Sequence, residues 1–481
     1  MVAAALLLLP AAVWAQIETG FIMGETHIVD IRDFVYSEQQ NQDNVVSRVM
    51  SRSTSDASPN ILWIDRINNL PDCMRAFYDK YCSLVHEVLA GGSNCLSDPD
   101  NDKVNAVHYG ISSHIPITHV TRKIEYTYPV DVVASNPYAR FKYINEAVTK
   151  DIDEYVRPEF DSMAWIFIPY VHTCLSYDLP EAFWIGYQFS WSNYTDYRYN
   201  FLDEPGRDSV EYTYTMCYTL KMNDFDVRID GFSTSKAISD GVSEYNGLID
   251  TILAHVPQTT RYDQIRYLNN WLTTNNAYSS ARTTGEYPLI ARSPMSALRG
   301  CNDANGPVCE GYARAFKILC NRLGIPCVLA VGNAFSYIGE EPGTHMWNEV
   351  MMNDDKWYAV DVTWNDPITE NAQDPKVSGR ENEKWLLLGK NTVVSTFNGR
   401  LTFAESHPNS IINGVNQSAY WDYSNESFIT DSKFDPATGI DRISNAQDNV
   451  IFSILGVKLD MEIGQLEPGL YIINGRKVVI M

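Results

Sequence analysis

The stretch NGPVCEGYARAFKILCNRLGIPCVLAVG, residues 305–332, constrains this chain more than any other. Asn305-Gly306-Pro307 is turn chemistry. From Cys309 onward, Ala313, Phe316, Leu319, Cys320 and Leu323 recur at spacings of three and four. That is the period of a helix with a buried face, and Gly324 suits its end. Cys327 then opens a strand-like run, PCVLAVG. Cys309 therefore sits in the first turn of a buried helix. Unpaired N–H groups and the helix macrodipole there favour an anion and ease loss of a thiol proton. Cys320 lies on the core stripe of the same helix, and both Cys320 and Cys327 read as core or disulfide residues.

A nucleophilic thiolate needs a proton acceptor, and that acceptor needs orienting. Downstream stands GTHMWNEVMMNDDKWYAVDVTWND, residues 343–366. His345 begins one strand-like run, Asp361 lies in the next, and Asn353-Asp354-Asp355 reads as a hairpin loop. With three residues in that loop, 352 pairs with 356 and 345 with 363. Asp361 then shares a face with His345, within reach of it. A two-residue loop puts the two on opposite faces unless a bulge restores the register. Each residue alone has an ordinary explanation: a packed thiol, a satisfied histidine, a turn aspartate. The ordered set of three is much harder to explain that way.

GPVCEGYARAFKILCNRLGIPCVLAVG, THMWNEV and KWYAVDVTWNDP closely resemble the transglutaminase-like core of papain-fold cysteine enzymes. The resemblance extends upstream through RYDQIRYLNNWLTTNNAYS and covers roughly residues 255–390. It implies Cys309 as nucleophile, His345 as general base and Asp361 as its orienting partner. It also implies a layered α+β fold, with the nucleophile helix packed on an antiparallel sheet. Supporting positions follow from the same motifs. Glu310, Gly311 and Tyr312 come after the nucleophile, and Trp347 and Asn348 come after the base. Gly311 is expected to let helix and strand approach closely. Tyr278 stands where the family tends to carry an aromatic before the active-site segment. The Cys309 backbone N–H is a natural oxyanion donor. CNDANG before Pro307 is a longer, more polar lead than usual, and its Cys301 is a candidate for pairing with another cysteine.

A length of 481 residues suggests two to four domains. MVAAALLLLPAAVWAQ has the apolar run and cleavage-site look of an export signal, residues 1–15, without the basic n-region. Residues 16–60 read as a weakly ordered lead-in. PDCMRAFYDKYCSLVHEVLAGG reads as a helix stopped at Gly91-Gly92. From about Ile124 to Asp230 the chain turns to strand language (IEYTYPV, AFWIGYQFSW, VEYTYTMCYTLKM), so residues 61–235 are expected to form a β-rich α+β domain. Two helices broken at His255-Val256-Pro257 open the catalytic domain, residues 236–390, and a loop-rich extension follows over 391–440. The last forty residues return to strands, with Asn474-Gly475 as a hairpin signal. FSILGVKLDMEIGQLEPGLYIINGRKVVIM resembles the C-terminal sorting domain of type IX (Por) secretion in Bacteroidetes. That resemblance implies a small β-type sorting domain over 441–481, secretion machinery as a partner, and a secreted or cell-surface location.

The net charge of −23 argues against nucleic acid as a partner, because phosphate binding needs concentrated Lys and Arg. Nine cysteines, an odd number, leave at least one thiol unpaired if the rest form bridges. His108, His114 and His119 lack ligand spacing, and the sequence contains no HExxH, paired CxxC or Gly-rich phosphate loop, so neither metal nor cofactor is expected. The Asp98–Asp102 run reads as a solvated loop rather than a calcium site, and Asn193, Asn416 and Asn425 sit in glycosylation sequons. The expectation is a cysteine peptidase or amidase acting on protein or peptide substrates through a Cys309 thioester, with water favoured as acceptor. Two alternatives stand beside it: a protein-crosslinking transglutaminase, and a non-enzymatic surface binding or adhesion protein on the same fold.

Overall fold

The computed structural model describes the strand 22–30 and most of residues 62–480. Residues 1–21, 31–61, 92–114, 201–204, 223–231, 280–288, 302–305, 368–380, 411–428, 437–450, 454–457 and 460–465, with a few gaps of one or two positions, lie outside the described residues. The segment read as an export signal, most of the lead-in, Cys95, Asp98–Asp102, His108, His114, Asn416, Asn425, Asn474-Gly475 and most of CNDANG fall there too.

The first half is built on a four-stranded antiparallel sheet in the order β1-β3-β4-β2. Its strands are β1 (Ile22–Asp30), β2 (Ile115–Thr127), β3 (Ile185–Asn200) and β4 (Arg207–Met222). In β4, Val210, Tyr212, Tyr214, Met216 and Tyr218 alternate along the strand and are all buried, the period that puts one face of a sheet into a core. Helix α1 (Asp72–Leu89) buries Met74, Phe77, Tyr78, Tyr81, Val85 and Val88, and it stops just before Gly91, whose φ of 83° suits glycine. The lead-in holds more order than its composition predicts. β1 lies within it and pairs with β3, because backbone hydrogen bonding recruits an edge strand without demanding an apolar pattern.

A second departure is larger. Residues 130–178, read from sequence as part of a strand-rich run, are helical: α2 (Val130–Ser135), α3 (Ala139–Asp151), α4 (Arg157–Ser162) and α5 (Ile168–Asp178). Wide π turns at Ile152–Val156 and Met163–Phe167 join the last three. Each wide turn precedes a proline, Pro158 or Pro169, at the start of the next helix. A proline lacks the N–H an α-turn needs and crowds the turn before it, and the extra residue in a π turn relieves both problems. α5 is buried almost all round, so it shows no amphipathic stripe.

The second half opens with α6 (Ser235–Leu253) and α7 (Arg261–Asn275), separated at Val256-Pro257. Thr260 caps α7 by accepting the Asp263 N–H at 3.1 Å. A turn at Leu289–Arg292, the short α8 (Pro294–Arg299) and α9 (Cys309–Arg322) follow. α9 packs on a five-stranded antiparallel sheet, order β11-β5-β6-β7-β8. Its strands are β5 (Cys327–Ala334), β6 (Gly343–Met351), β7 (Trp357–Val360), β8 (Leu386–Leu388) and β11 (Asn409–Ser410). The segment read as a loop-rich extension supplies that last edge strand. It also forms the pair β9 (Val393–Ser395) and β10 (Arg400–Thr402), then the short α10 (Phe403–Ser406), whose start is a Thr402/Glu405 capping box.

Every residue of α9 from Glu310 to Cys320 is buried, because α7, α8 and the Leu289–Arg292 turn cover it as well as the sheet, and α5 of the first half reaches it at Arg314. Arg314 donates to Ser176 Oγ, and the buried Lys317 lies near Asp178 while its ammonium caps the Cys327 carbonyl at 2.7 Å. One continuous apolar core runs through both halves. A small antiparallel sheet, β13-β12-β14-β15, closes the chain: β12 (Ile451–Ser453), β13 (Lys458–Leu459), β14 (Gly469–Ile473) and β15 (Arg476–Ile480). The eight described cysteines are free thiols, including Cys301, Cys320 and Cys327, so the bridges that an exported chain suggests are not found among the described residues. Cys320 and Cys327 are core residues. Nor is any described helix long and apolar enough to cross a membrane.

Candidate active site

The approach to α9 is held by backbone at close quarters. Ala277 donates to Cys301 at 2.7 Å, Ser279 to Pro307 at 3.1 Å, and Val308 to the Ala291 carbonyl at 2.9 Å. A Cβ on Gly306 would stand 1.7 Å from the Ala277 oxygen, so no other residue fits this crossing without displacing it. Gly311 allows a second close approach, and here the sequence expectation is corrected. What it meets is the backbone of the Leu289–Arg292 turn, with its would-be Cβ 2.5 Å from the Ala291 oxygen, and not a strand. Cys309 emerges half-buried at the helix tip. The first intrahelical bond is Tyr312 N–H to the Val308 carbonyl, which leaves the N–H groups of Cys309, Glu310 and Gly311 ahead of it, pointing toward the tip.

The hairpin loop holds three residues. Met352 donates to Lys356 at 2.9 Å, Asp355 adopts a φ of 59°, and β6 pairs with β7 from Met351↔Trp357 to Asn348↔Val360. That register carries 345 opposite 363 and brings Asp361 to the His345 side. Asp361 lies one residue past the end of β7 rather than inside it. It is fixed from several directions: its N–H donates to the Trp385 carbonyl at 2.9 Å, and its Oδ1 accepts the Trp364 N–H at 3.0 Å. Its Oδ2 stands 2.7 Å from His345 Nε2. A carboxylate can only accept, so His345 Nε2 carries the proton, and Nδ1 is the nitrogen left to face the neighbouring Cys309 thiol, which helps hold the imidazole's charge.

Charge settles on this pair. Burial alone would push the His345 imidazole down, but the charge and hydrogen bond of Asp361, with help from Cys309, outweigh it and raise the group to about 10. Burial would likewise raise Asp361, yet His345 holds it well below the usual carboxylate range. The imidazole lies face to face with the Trp364 indole at 4.9 Å and 18°, with Trp347 more distant at 6.0 Å. Such stacking favours a cationic ring and blocks rotation.

The supporting residues divide. Glu310 is buried and paired with Arg314 at 2.9 Å and Arg292 at 3.3 Å, so it braces the helix start. The Tyr312 hydroxyl donates to Asp366, anchoring the turn after Asp361. Asn348 donates to the Ala313 carbonyl at 2.9 Å, tying sheet to helix on the face away from His345. Trp347 is part of the aromatic wall. Tyr278 is half-buried in the segment that pins Pro307. The structure thus brings together Cys309, His345, Asp361 and Trp347, and assigns Glu310, Gly311, Tyr312 and Asn348 to holding the frame. Sequence reading missed two neighbours. Trp364 stood inside the quoted DVTWND, three residues after the aspartate, where an aspartate side chain accepts a turn N–H. His407 had no signal, because it follows a single helical turn in a segment without periodicity.

Among the described residues, His345, Asp361 and His407 form the set that could close on a metal ion, with ligand atoms within 4.8 Å of one another. The 2.7 Å spacing within the first pair is that of a hydrogen bond, and a metal would have to displace its proton.

A thiol at a helix tip, with a carboxylate-bound imidazole on the adjoining sheet, defines the papain-like class of thiol-enzyme fold. Residues 251–362 match the model of the Transglutaminase-like superfamily. Among solved structures, a TGase shares 16% identity over 36% of this chain, with a TM-score of 0.23. The match spans 46% of that TGase, under half its length. A protein from Cytophaga hutchinsonii, provisionally described as a cysteine protease, shares 18% identity over 45% of this chain and 68% of its own, with a TM-score of 0.20. No curated protein matches the chain in sequence.

Proposed function

We propose that this protein is a thiol hydrolase that cleaves amide bonds in protein or peptide substrates. The observation that carries the reading is the array itself: Cys309 at a helix N-terminus, within reach of an imidazole whose far nitrogen stands 2.7 Å from a buried carboxylate. The Cys309 thiolate adds to the amide carbonyl carbon. The C–N bond then breaks, and the amine leaves with the proton held by His345. A water molecule attacks the resulting thioester, His345 takes its proton, and the carboxylic acid departs as the thiolate re-forms. The N–H groups at the tip of α9 face the place where charge builds on the carbonyl oxygen.

Incubation with protein substrate and a labelled primary amine tests the acceptor. New termini or released ammonia without label are expected, and label incorporation without cleavage would replace hydrolysis by acyl transfer. Export to the cell surface belongs to the same reading. It is supported by the signal-like first fifteen residues and the C-terminal sorting resemblance. Deleting residues 441–481 should trap the protein inside the outer membrane. Normal surface delivery of the truncated chain would overturn this part.

A further inference from the structure

Behind the His345–Asp361 pair lies a second buried histidine that the scheme above does not use. His407 follows α10 with 1% of its surface exposed. Its ring stacks on Phe403 (4.2 Å, 18°) and meets the indoles of Trp347 and Trp364 at 4.6 and 4.7 Å. Its Nε2 stands 3.5 Å from Asp361 Oδ2, the oxygen that His345 holds at 2.7 Å, and makes no hydrogen bond of ordinary length. Its Nδ1 lies 2.9 Å from Ser406 Oγ.

Which nitrogen carries the proton decides what this ring does. With the proton on Nδ1, a bare Nε2 lone pair would face a buried carboxylate, an arrangement that burial makes costly. With the proton on Nε2, the Ser406 hydroxyl donates to Nδ1 and the Nε2–H points at Oδ2. The Ser406 hydroxyl has one proton and two acceptors within 2.9 Å, the Phe403 carbonyl and Nδ1; giving it to Nδ1 still leaves the Phe403 carbonyl bonded, because that carbonyl also accepts the His407 backbone N–H at 2.9 Å. We propose that His407, held as its Nε2–H tautomer by Ser406, is a positioning residue: a second donor that keeps Asp361 aimed at His345 while the His345 proton is in use. When His345 gives its proton to the leaving amine it becomes neutral, and its hold on Asp361 falls to that of an uncharged hydrogen bond. His407 keeps the carboxylate in place through that interval. Burial lowers the His407 imidazole below its usual range, so it stays neutral and does not compete as a cation. The ionisable groups facing it are Asp361 and His345. Its remaining neighbours are Ser406 and the rings of Phe403, Trp347, Trp364 and Trp385.

The inference rests on Cys309 being the nucleophile, and one experiment separates the two. Alkylation of Cys309 by iodoacetamide in the full chain is followed against pH by peptide mass spectrometry, which needs no substrate. Wild-type Cys309 should react in mildly acidic solution. His407→Phe keeps the ring stack but has no N–H. Its acid limb should move up by about one pH unit, with reaction at pH 6 slowed about tenfold. His407→Gln, which retains a donor, should recover at least half of that shift. Superposition of the His407→Phe profile on wild type, or no recovery by His407→Gln, overturns the proposal. If His407→Phe does not fold, Ser406→Ala decides: a smaller shift in the same direction supports it, and none overturns it. If wild-type Cys309 fails to react below neutral pH, the nucleophile reading fails and takes this proposal with it.

Discussion

The two halves hold their inner carboxylates with different kinds of proton donor. In the first half the donors keep their protons. Asp178 accepts the Trp63 and Ile64 backbone N–H groups and the Tyr78 hydroxyl, and Asp151 accepts Arg122 and Tyr212. Burial and the neighbouring carboxylate push the Tyr78 phenol far above its usual range, and burial, then Asp151, lifts Tyr212 as well. In the second half, Asp361 is held by an imidazole whose proton can leave. Glu349, two residues further along the same face of β6 than Trp347, is fully buried, and neither of its oxygens has a hydrogen bond among the described residues. Fixed protons make a frame, and mobile ones make a reaction.

Four substitutions test that division, from the largest expected effect to the smallest. Cys309→Ala should lower amide hydrolysis by at least about 10⁴-fold while moving the melting temperature by no more than about 2 °C. Asp361→Asn should lower turnover by about 10³-fold, because the amide cannot stabilise an imidazolium and permits the wrong tautomer. A pH profile belongs with it: in the wild type, rate should fall as pH rises through about 10, where His345 loses its proton, and the variant should lose that limb to lower pH. Asp178→Ala should do the reverse of Cys309→Ala. It strands three buried donors, should cost about 3–4 kcal/mol of stability in urea unfolding, and should leave the folded fraction with ordinary turnover. Loss of turnover in fully folded Asp178→Ala would break the division.

Glu349→Gln is the subtlest. Burial raises this carboxyl from the usual 4.5 to about 8, so between those values the folded protein binds a proton that the unfolded chain has lost. Stability therefore falls as pH rises through that window. The glutamine should remove the slope, adding about 1–3 kcal/mol at pH 8 and nothing below pH 4. Equal gains at both pH values would mean that packing rather than charge is responsible.

Much of the second half was legible because its chemistry is local. Helix period and the glycine stop placed Cys309, and the hairpin residues left two registers open for His345 and Asp361, between which the three-residue loop of the folded chain decides. The helical run over 139–178 was not, because its prolines interrupt the pattern and its last helix is apolar all round. β1 was missed since an edge strand is recruited by backbone alone. His407 was invisible for another reason. Its place depends on the chain returning across the sheet edge at β11, a long-range event that no window of neighbouring residues encodes.

The envelope around α9 has a consequence for how the molecule comes apart. α9, enclosed by its own sheet and by α7 and α8, is tied to the first half through Arg314 and Ser176 of α5, which also packs on β5, and one apolar core runs through both halves. The two halves should therefore melt as one cooperative block. Separate expression of residues 1–235 and 236–481 should give fragments that are insoluble alone but complement each other when co-expressed. The boundary is a line in the sequence and not a seam in the folded protein.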